Sequence, residues 1–248
     1  MLSLVFLAFS CSEKNTDTST TDTSNTASCP TELSEEDLSN LRISLMDHIA
    51  MQAGGERTLE IGTVECCVYI EPVDTCVDWS VSPAEGASID ENGLLTIEEG
   101  VEHGSIFTVE ANVESGRTQL EIPIYIYDLE KNPLYGTWSE HKQISCSTGE
   151  EVEPEYKIAE MYFYANGRYD VTWDPFEAYR DYWGPYTYDL AQGTLQLDVD
   201  GGNYIPPDVD GEGQFVIDES GALHLESIWL GTPMDMEVEA QCGHIFRR

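Results

Sequence analysis

Hydrophobic and polar residues alternate along most of the chain, which is the pattern of strands that bury one face. The alternation is clearest after residue 132, for example over residues 168–173, where Asn166-Gly167 just before it predicts a tight hairpin turn. Between Thr137 and Phe246 about eight such strands follow one another at hairpin spacing, which predicts a closed up-and-down antiparallel β-barrel over residues 132–248.

Shorter alternating segments separated by turn signals occupy residues 30–128. Ser34, which three acidic residues follow, predicts the capped start of one short helix. The other segments are rich in β-forming residues and predict strands. The predicted fold class is therefore all-β, with an N-terminal β-sandwich and a C-terminal barrel of about eight antiparallel strands.

Three segments of the N-terminal part resemble group 2 bacterial immunoglobulin-like domains. They are the strand with Trp79, the segment Ser88–Leu95 and the strand Phe107–Ala111. The resemblance implies an immunoglobulin-like antiparallel sandwich over residues 30–128. Members of that family often serve as spacers or adhesion modules.

The start of the predicted barrel carries Gly136-Thr137-Trp138, which resembles the Gly-x-Trp signature of lipocalin-like barrels. The resemblance implies that Trp138 closes one end of the barrel and that the barrel can hold a small apolar ligand. The densest aromatic stretch of the chain, residues 173–186, can stack on a sugar, close over an apolar ligand or pack onto the barrel end. The candidate ligand-contact residues are Trp138, Trp173, Trp183 and Tyr186.

The N-terminus is an apolar run, Met1–Ser10, followed directly by Cys11. The run has the length of a signal-peptide core and is too short to span a bilayer as a helix. Ser10-Cys11 resembles the lipobox of bacterial lipoproteins, which implies that residues 1–11 are a signal peptide with its lipidation cysteine. An ordinary secretory leader is the alternative. The implied location is the bacterial outer membrane or cell surface, where a lipid anchor would hold the protein on the membrane.

Residues 12–28 are almost all small and polar, so they cannot bury enough apolar surface to offset the entropy of ordering. We expect a disordered Ser/Thr-rich tether that holds the folded part away from the membrane.

Six cysteines follow the tether, an even number that predicts disulfides in an exported chain. Cys146 and Cys242 lie near the two ends of the predicted barrel, and a bond between them would join its first strand to its last. Cys66 and Cys67 are adjacent and point to opposite faces of a strand, so different partners are expected for them. The remaining two disulfide candidates are Cys29 and Cys76.

The charge of the chain is strongly negative, with 47 acidic against 11 basic residues and a net charge of −36. Such a surface repels phosphate backbones, so a nucleic-acid partner is not expected. Residues 208–219 match much of the twelve-residue calcium loop, with Asp208, Asp210 and Glu212 as candidate ligands, although an alternating strand pattern begins at Gln214. Calcium is therefore the one cofactor candidate, and a solvated acidic loop is the alternative.

The sequence contains none of the common short catalytic motifs, and its five histidines have no consistent partner. The expected function is that of a non-catalytic envelope lipoprotein that binds a small-molecule or envelope partner or serves as a structural module. The alternative is a hydrolase or other carbohydrate-active enzyme that uses the aromatic and acidic loop of residues 173–186. Two carboxylates about 5–10 Å apart beside those aromatics would favour the enzyme, and a barrel filled by side chains would favour the structural module.

Overall fold

The computed structural model describes residues 32–65, 69–174, 180–233, 236 and 239–248. The leader, the tether, Cys29, Cys66, Cys67 and residues 175–179 of the aromatic stretch lie outside these ranges. The described N-terminal part contains one helix, α1 (Glu35–Asn40), and ten strands. The strands are β1 (Leu41–Arg42), β2 (Ile49–Gln52), β3 (Glu56–Thr58), β4 (Gly62–Glu65), β5 (Tyr69–Pro72), β6 (Val77–Ser82), β7 (Ala87–Ile89), β8 (Leu94–Ile97), β9 (Ile106–Val113) and β10 (Thr118–Tyr127).

The C-terminal part contains ten further strands in the described ranges. They are β11 (Gly136–Ile144), β12 (Glu151–Val152), β13 (Ile158–Phe163), β14 (Arg168–Trp173), β15 (Tyr182–Asp189), β16 (Thr194–Leu197), β17 (Gly201–Gly202), β18 (Glu212–Ile217), β19 (Leu223–Glu226) and β20 (Gly243–Arg247).

Helix α1 begins where the sequence predicts. Ser34 is its N-cap and accepts a hydrogen bond from the Asp37 backbone N–H at 3.1 Å. The Asp37 carboxylate accepts a bond in return from the Ser34 N–H at 3.2 Å. This reciprocal pair satisfies two backbone donors that a helix start would otherwise leave unbonded.

Three small sheets make up the N-terminal part, with strand orders β1-β4-β5, β2-β10-β9-β6 and β3-β8-β7. The pairing of β2 with β10 is parallel, whereas the other pairings in these sheets are antiparallel. The all-β class predicted for this part is confirmed. The finer immunoglobulin-like assignment rests on the sequence resemblance alone and stays a prediction.

The C-terminal part is a closed barrel of eight antiparallel strands, as the alternation predicts. Its order is β11-β13-β14-β15-β16-β18-β19-β20, and pairing of β20 with β11 closes it. Each barrel strand pairs with the next one along the chain, so the topology is up-and-down. The short strands β12 and β17 add to β11 and β15. Closure leaves the barrel without a continuous open edge.

A disulfide joins Cys146 to Cys242, with the two Cα atoms 4.8 Å apart. Cys146 follows the end of β11 and Cys242 precedes β20, so the bond lies beside the pairing of Ile144 with Gly243. The predicted link between the first and last barrel strands is confirmed. Cys76 is also disulfide-bonded, but three of the four cysteines predicted to pair in this part lie outside the described residues, so those pairings stay predictions.

Large side chains fill the barrel interior. They come from every strand of the barrel and from the segments that precede β11 and β20. The buried cluster consists of Leu134, Trp138, Ile158, Met161, Phe163, Tyr169, Val171, Trp173, Tyr182, Tyr186, Leu195, Leu197, Phe215, Leu223, Leu225, Ile228, Leu230 and Phe246. Eight strands enclose a space that side chains of this size can fill.

Two buried tyrosines of this cluster differ in whether their hydroxyl groups form hydrogen bonds. The Tyr186 hydroxyl donates to the Tyr164 carbonyl at 2.9 Å and accepts from the Asn132 amide at 2.8 Å. The Tyr169 hydroxyl has no hydrogen-bond partner in the described part of the chain.

We therefore expect Tyr186→Phe to lower the free energy of unfolding by about 1–3 kcal/mol, because it leaves the buried Asn132 amide without its acceptor. The Tyr164 carbonyl keeps its second hydrogen bond, from the Gly167 N–H at 3.2 Å. Tyr169→Phe should leave stability unchanged or raise it slightly, since it removes an unbonded polar group. Urea denaturation of both variants measures this difference. An equal loss in the two variants would contradict it.

Candidate functional site

A cleft of about 390 Å³ lies where the N-terminal part meets the barrel. The N-terminal part contributes the loop between β1 and β2, and the barrel contributes the β13–β14 hairpin and the start of β15. We call it the junction cleft. Its lining residues are Met46, Asp47, His48, Tyr164, Asn166, Arg168, Tyr169, Asp170, Arg180 and Trp183.

A larger depression, about 830 Å³, lies on the outer face of β15, β16 and β18. Its walls are mainly hydroxyl, amide and carboxylate side chains that alternate with core residues along these strands. This is the ordinary solvated face of a strand. The junction cleft is the stronger candidate because aromatic and charged groups from distant segments converge there.

Asp170 organises one wall of the junction cleft. It is almost fully buried. Its Oδ2 accepts a hydrogen bond from the Tyr164 hydroxyl at 2.5 Å and forms an ion pair with Arg180 Nε at 2.9 Å. The Arg180 guanidinium also lies 5.6 Å from the centre of the Tyr164 ring. Burial raises the pKa of Asp170, and the hydrogen bond from Tyr164 and the positive charge of Arg180 only partly offset this. The carboxylate thereby holds an aromatic ring and a cation in place.

Arg168 is the second cation of the junction cleft and is also paired. Its two terminal nitrogens bond both oxygens of Asp200, at 2.9 and 2.6 Å. The hydrogen bond to Asp200 raises the pKa of the guanidinium, although burial opposes this. A two-point bond of this kind fixes the plane of the guanidinium.

The N-terminal part reaches the junction cleft through His48. The ring is buried and lies edge-on to Tyr125 and Tyr164, with ring centres 5.6 and 5.3 Å apart. Its Nδ1 lies 2.6 Å from a carboxylate oxygen of Asp47, so Nδ1 carries a proton and donates it. Asn166 Nδ2, 3.4 Å from the same Nδ1, is also a donor, and this approach is therefore a contact between the two parts.

Five tyrosines and His48 form a continuous aromatic cluster across the junction. Tyr127 stacks on Tyr135 with ring centres 3.9 Å apart, and Tyr162 lies 4.3 Å from Tyr164. Tyr135 lies edge-on to Tyr162, and Tyr125 and Tyr164 meet at His48. Burial raises the pKa of Tyr135. Rings in these arrangements attract one another beyond their burial, so the cluster holds the two parts together.

Sequence reasoning did not identify this cluster. One signal was present, because Tyr125 and Tyr127 in β10 and Tyr162 and Tyr164 at the end of β13 are each two residues apart. Two residues apart on a strand means the same face. The signal could not show that these faces meet each other.

Trp183 lies directly opposite Asp170 across β14 and β15 and is half-buried at the cleft wall. The indole packs against the backbone of Gly201, where an added Cβ would lie 2.5 Å from Nε1 and 2.8 Å from Cε2. Gly201 therefore has to lack a side chain for the indole to take this position. Of the four predicted ligand-contact residues, Trp183 is the one that lines the junction cleft.

The other three predicted ligand-contact residues are core residues. Trp138, Trp173 and Tyr186 are 1%, 2% and 5% exposed and belong to the cluster that fills the barrel. Trp138 donates to the Leu134 carbonyl at 2.6 Å, and the Arg248 guanidinium covers its ring at 4.5 Å. Ligand contact by these three residues stays a prediction.

The predicted calcium ligands are placed on the loop before β18 and at its start. Both carboxylate oxygens of Asp208 accept hydrogen bonds, from Trp229 Nε1 at 2.9 Å and from the Thr232 N–H and hydroxyl at 3.0 and 2.6 Å. Burial acts to raise the pKa of Asp208, but these bonds outweigh it and the pKa is lowered. Asp210 pairs through its backbone with Trp229. The described residues contain no group of three or more His, Cys, Asp or Glu side chains arranged to hold a metal ion. Calcium binding by Asp208, Asp210 and Glu212 stays a prediction.

No protein-family model matches the sequence, and no curated protein is detectably similar to it. Within the described ranges, no helix has the length and apolar character needed to cross a membrane.

Proposed function

We propose that this protein is an exported, lipid-anchored, non-catalytic module of the bacterial cell envelope. In this proposal the barrel is a rigid body, and the junction cleft is where a small-molecule or envelope partner binds. The observation that carries the proposal is the filled barrel interior, because it leaves the outer surface of the barrel as the place for a binding site.

The filled interior argues against an apolar ligand inside the barrel. A lipocalin-like carrier needs an open cavity, whereas here aromatic and aliphatic side chains occupy that space. To make room for a ligand, several of these side chains would have to move out of a closely packed core. In this proposal the partner therefore binds outside the barrel.

The buried carboxylates support a non-catalytic role. The three carboxylates buried in the described part of the chain are Glu114, Glu140 and Asp170. Glu114 and Glu140 each accept hydrogen bonds from at least two groups of the protein, and Asp170 accepts one from Tyr164 and forms an ion pair with Arg180. Acid–base catalysis needs a carboxyl group that is within reach of a substrate proton. Glu114 and Glu140 are not among the residues that line the junction cleft, and Asp170, which does line it, is engaged by Tyr164 and Arg180.

The enzyme alternative rests on residues 173–186, part of which lies outside the described ranges. Within that stretch burial raises the pKa of Asp181, which accepts a hydrogen bond from the Trp173 N–H at 2.8 Å. A carboxyl that stays protonated is what a glycosidase acid requires. Hydrolysis of chromogenic glycosides by the wild type and its loss in Asp181→Asn would favour the enzyme over our proposal.

The anchor is tested by expressing the full chain in a bacterium that processes lipoproteins. We expect the wild type in the membrane fraction, with a diacylglyceryl-modified Cys11 in its mass spectrum. Cys11→Ala should move the protein to the soluble fraction, because one cysteine carries the whole anchor. Ser12→Ala is the matched control and should stay on the membrane. An unmodified Cys11 would overturn the anchoring.

A further inference from the structure

We propose that the junction cleft binds an uncharged saccharide, with the Trp183 indole as the platform for a sugar ring. The inference rests on the proposed function, because it names the ligand class of the cleft on which that function depends. Three properties of the cleft carry it, namely its paired arginines, its closely packed indole and its polar side chains.

Both arginines of the junction cleft are paired with carboxylates of the protein, and Asp47, beside His48 Nδ1, adds one further carboxylate at its rim. Arg180 is paired with Asp170, and Arg168 is bonded through both terminal nitrogens to Asp200. An anion would compete with these carboxylates inside a chain of net charge −36, and a cation would meet two guanidinium groups. An uncharged ligand therefore has the smallest unfavourable electrostatic free energy on entering the cleft.

The Trp183 indole is held in a fixed position. Gly201 lies against it so closely that even a Cβ would overlap the ring, and β17 pairs with β15 at Trp183–Gly201. The electron-rich face of an aromatic ring attracts the weakly positive C–H groups of a sugar ring. A fixed ring offers this face without losing rotational freedom on binding.

Polar side chains line the same cleft as Trp183 and are exposed to different extents. The side chains of Asp47, Arg180 and Arg168 are 90%, 50% and 39% exposed, and the Asn166 amide lies between the two parts. Together they offer donors and acceptors to the hydroxyl groups of a sugar. Without a ligand, these groups form hydrogen bonds with water. A mainly apolar ligand would displace that water and offer no hydrogen bonds in return, which lowers its affinity.

The test is isothermal calorimetry on the full chain with maltose, cellobiose and N,N′-diacetylchitobiose. Digalacturonate and glucose 6-phosphate are the anionic comparisons. We expect at least one neutral disaccharide to bind and neither anion to bind more tightly. Titrations to about 10 mM sugar detect dissociation constants as weak as ~1 mM.

Three variants locate the binding. Trp183→Ala should weaken it at least about tenfold, and Trp183→Phe should restore part of the loss because it keeps an aromatic face. Gly201→Ala keeps the indole but displaces it, so it should also weaken binding. Leu190→Ala, an exposed apolar residue just after β15, is the matched control. Circular dichroism and melting temperature show whether each variant is folded.

Each other outcome overturns a different statement. Binding of an anion alone, if it depends on Trp183, would overturn the uncharged ligand but leave the cleft as a binding site. Binding that Trp183→Ala leaves unchanged in a folded protein, or no binding of any probe, would overturn the saccharide site, while the membrane anchor is decided by fractionation. Cleavage of a disaccharide would overturn the non-catalytic function.

Discussion

Replacing Glu140 by alanine should lower the free energy of unfolding by about 3–5 kcal/mol, because it leaves buried hydrogen-bond donors without an acceptor. Glu140 lies inside the barrel and is 1% exposed. Its Oε1 accepts from His244 Nδ1 at 2.5 Å and from Gln143 Nε2 at 3.0 Å, and its Oε2 accepts from the Ile158 N–H at 2.9 Å. The three donors come from three separate segments of the barrel.

The size of the effect follows from where these donors lie. His244 is 1% exposed, stacks on Trp229 and cannot turn to water without opening the barrel. Each unbonded buried donor costs about 1–3 kcal/mol, and the three losses overlap. Glu140→Gln keeps an acceptor oxygen and should recover part of the stability.

Glu153→Ala is the matched control for Glu140. Glu153 forms an ion pair with Lys142, which lies on the same strand as Glu140, but its side chain is 78% exposed. Water replaces an exposed partner, so its loss should not measurably change stability. Urea denaturation followed by tryptophan fluorescence measures all three variants. A loss in Glu140→Ala no larger than in Glu153→Ala would show that the buried network does not hold the barrel closed.

The double variant Cys146→Ser, Cys242→Ser should lower the free energy of unfolding by about 4–5 kcal/mol. The bond joins residues 96 apart in sequence and so restricts the unfolded chain along almost the whole barrel. Without it the unfolded state gains conformational freedom, whereas the pairing of β11 with β20 keeps the barrel closed in the folded state. Circular dichroism should therefore show unchanged β structure below the transition.

The serine variants are preferable to a reducing agent, because Cys76 is also disulfide-bonded and reduction would open its bond as well. The double variant avoids the free thiol that a single substitution leaves. An unfolding midpoint equal to that of the wild type would mean that strand pairing alone accounts for the barrel's stability.

The alternation of hydrophobic and polar residues predicted the barrel because this pattern depends only on residues that are close in sequence. Alternation over residues 168–173 and the Asn166-Gly167 turn produced the β13–β14 hairpin, and Gly167 has the positive φ of 76° that such a turn requires. The same alternation places Tyr169 and Trp173 on one face, which is the filled interior. That face could have been recognised as core, because Trp173 shares it with Val171.

The alternating pattern could not predict that Trp183 lies at the junction cleft, or which residues surround it there. Trp183 was one of four aromatic candidates, and nothing local distinguished it from Trp138 or Tyr186. What distinguishes it is the strand pairing that puts it opposite Asp170 and beside Gly201. Pairing of strands depends on which faces the whole chain can bury, and a single segment does not contain that information.

The sequence by itself determined the all-β class, the number of barrel strands, the start of α1 and the disulfide that joins the barrel ends, since each depends on spacing along the chain. Only the tertiary structure decided that the barrel is filled and that a cleft forms at the junction. His48 and Asn166 meet there from positions 118 residues apart. Contacts between residues so far apart in sequence form only when complete helices and strands pack together. The cleft therefore exists only in the folded structure of both parts.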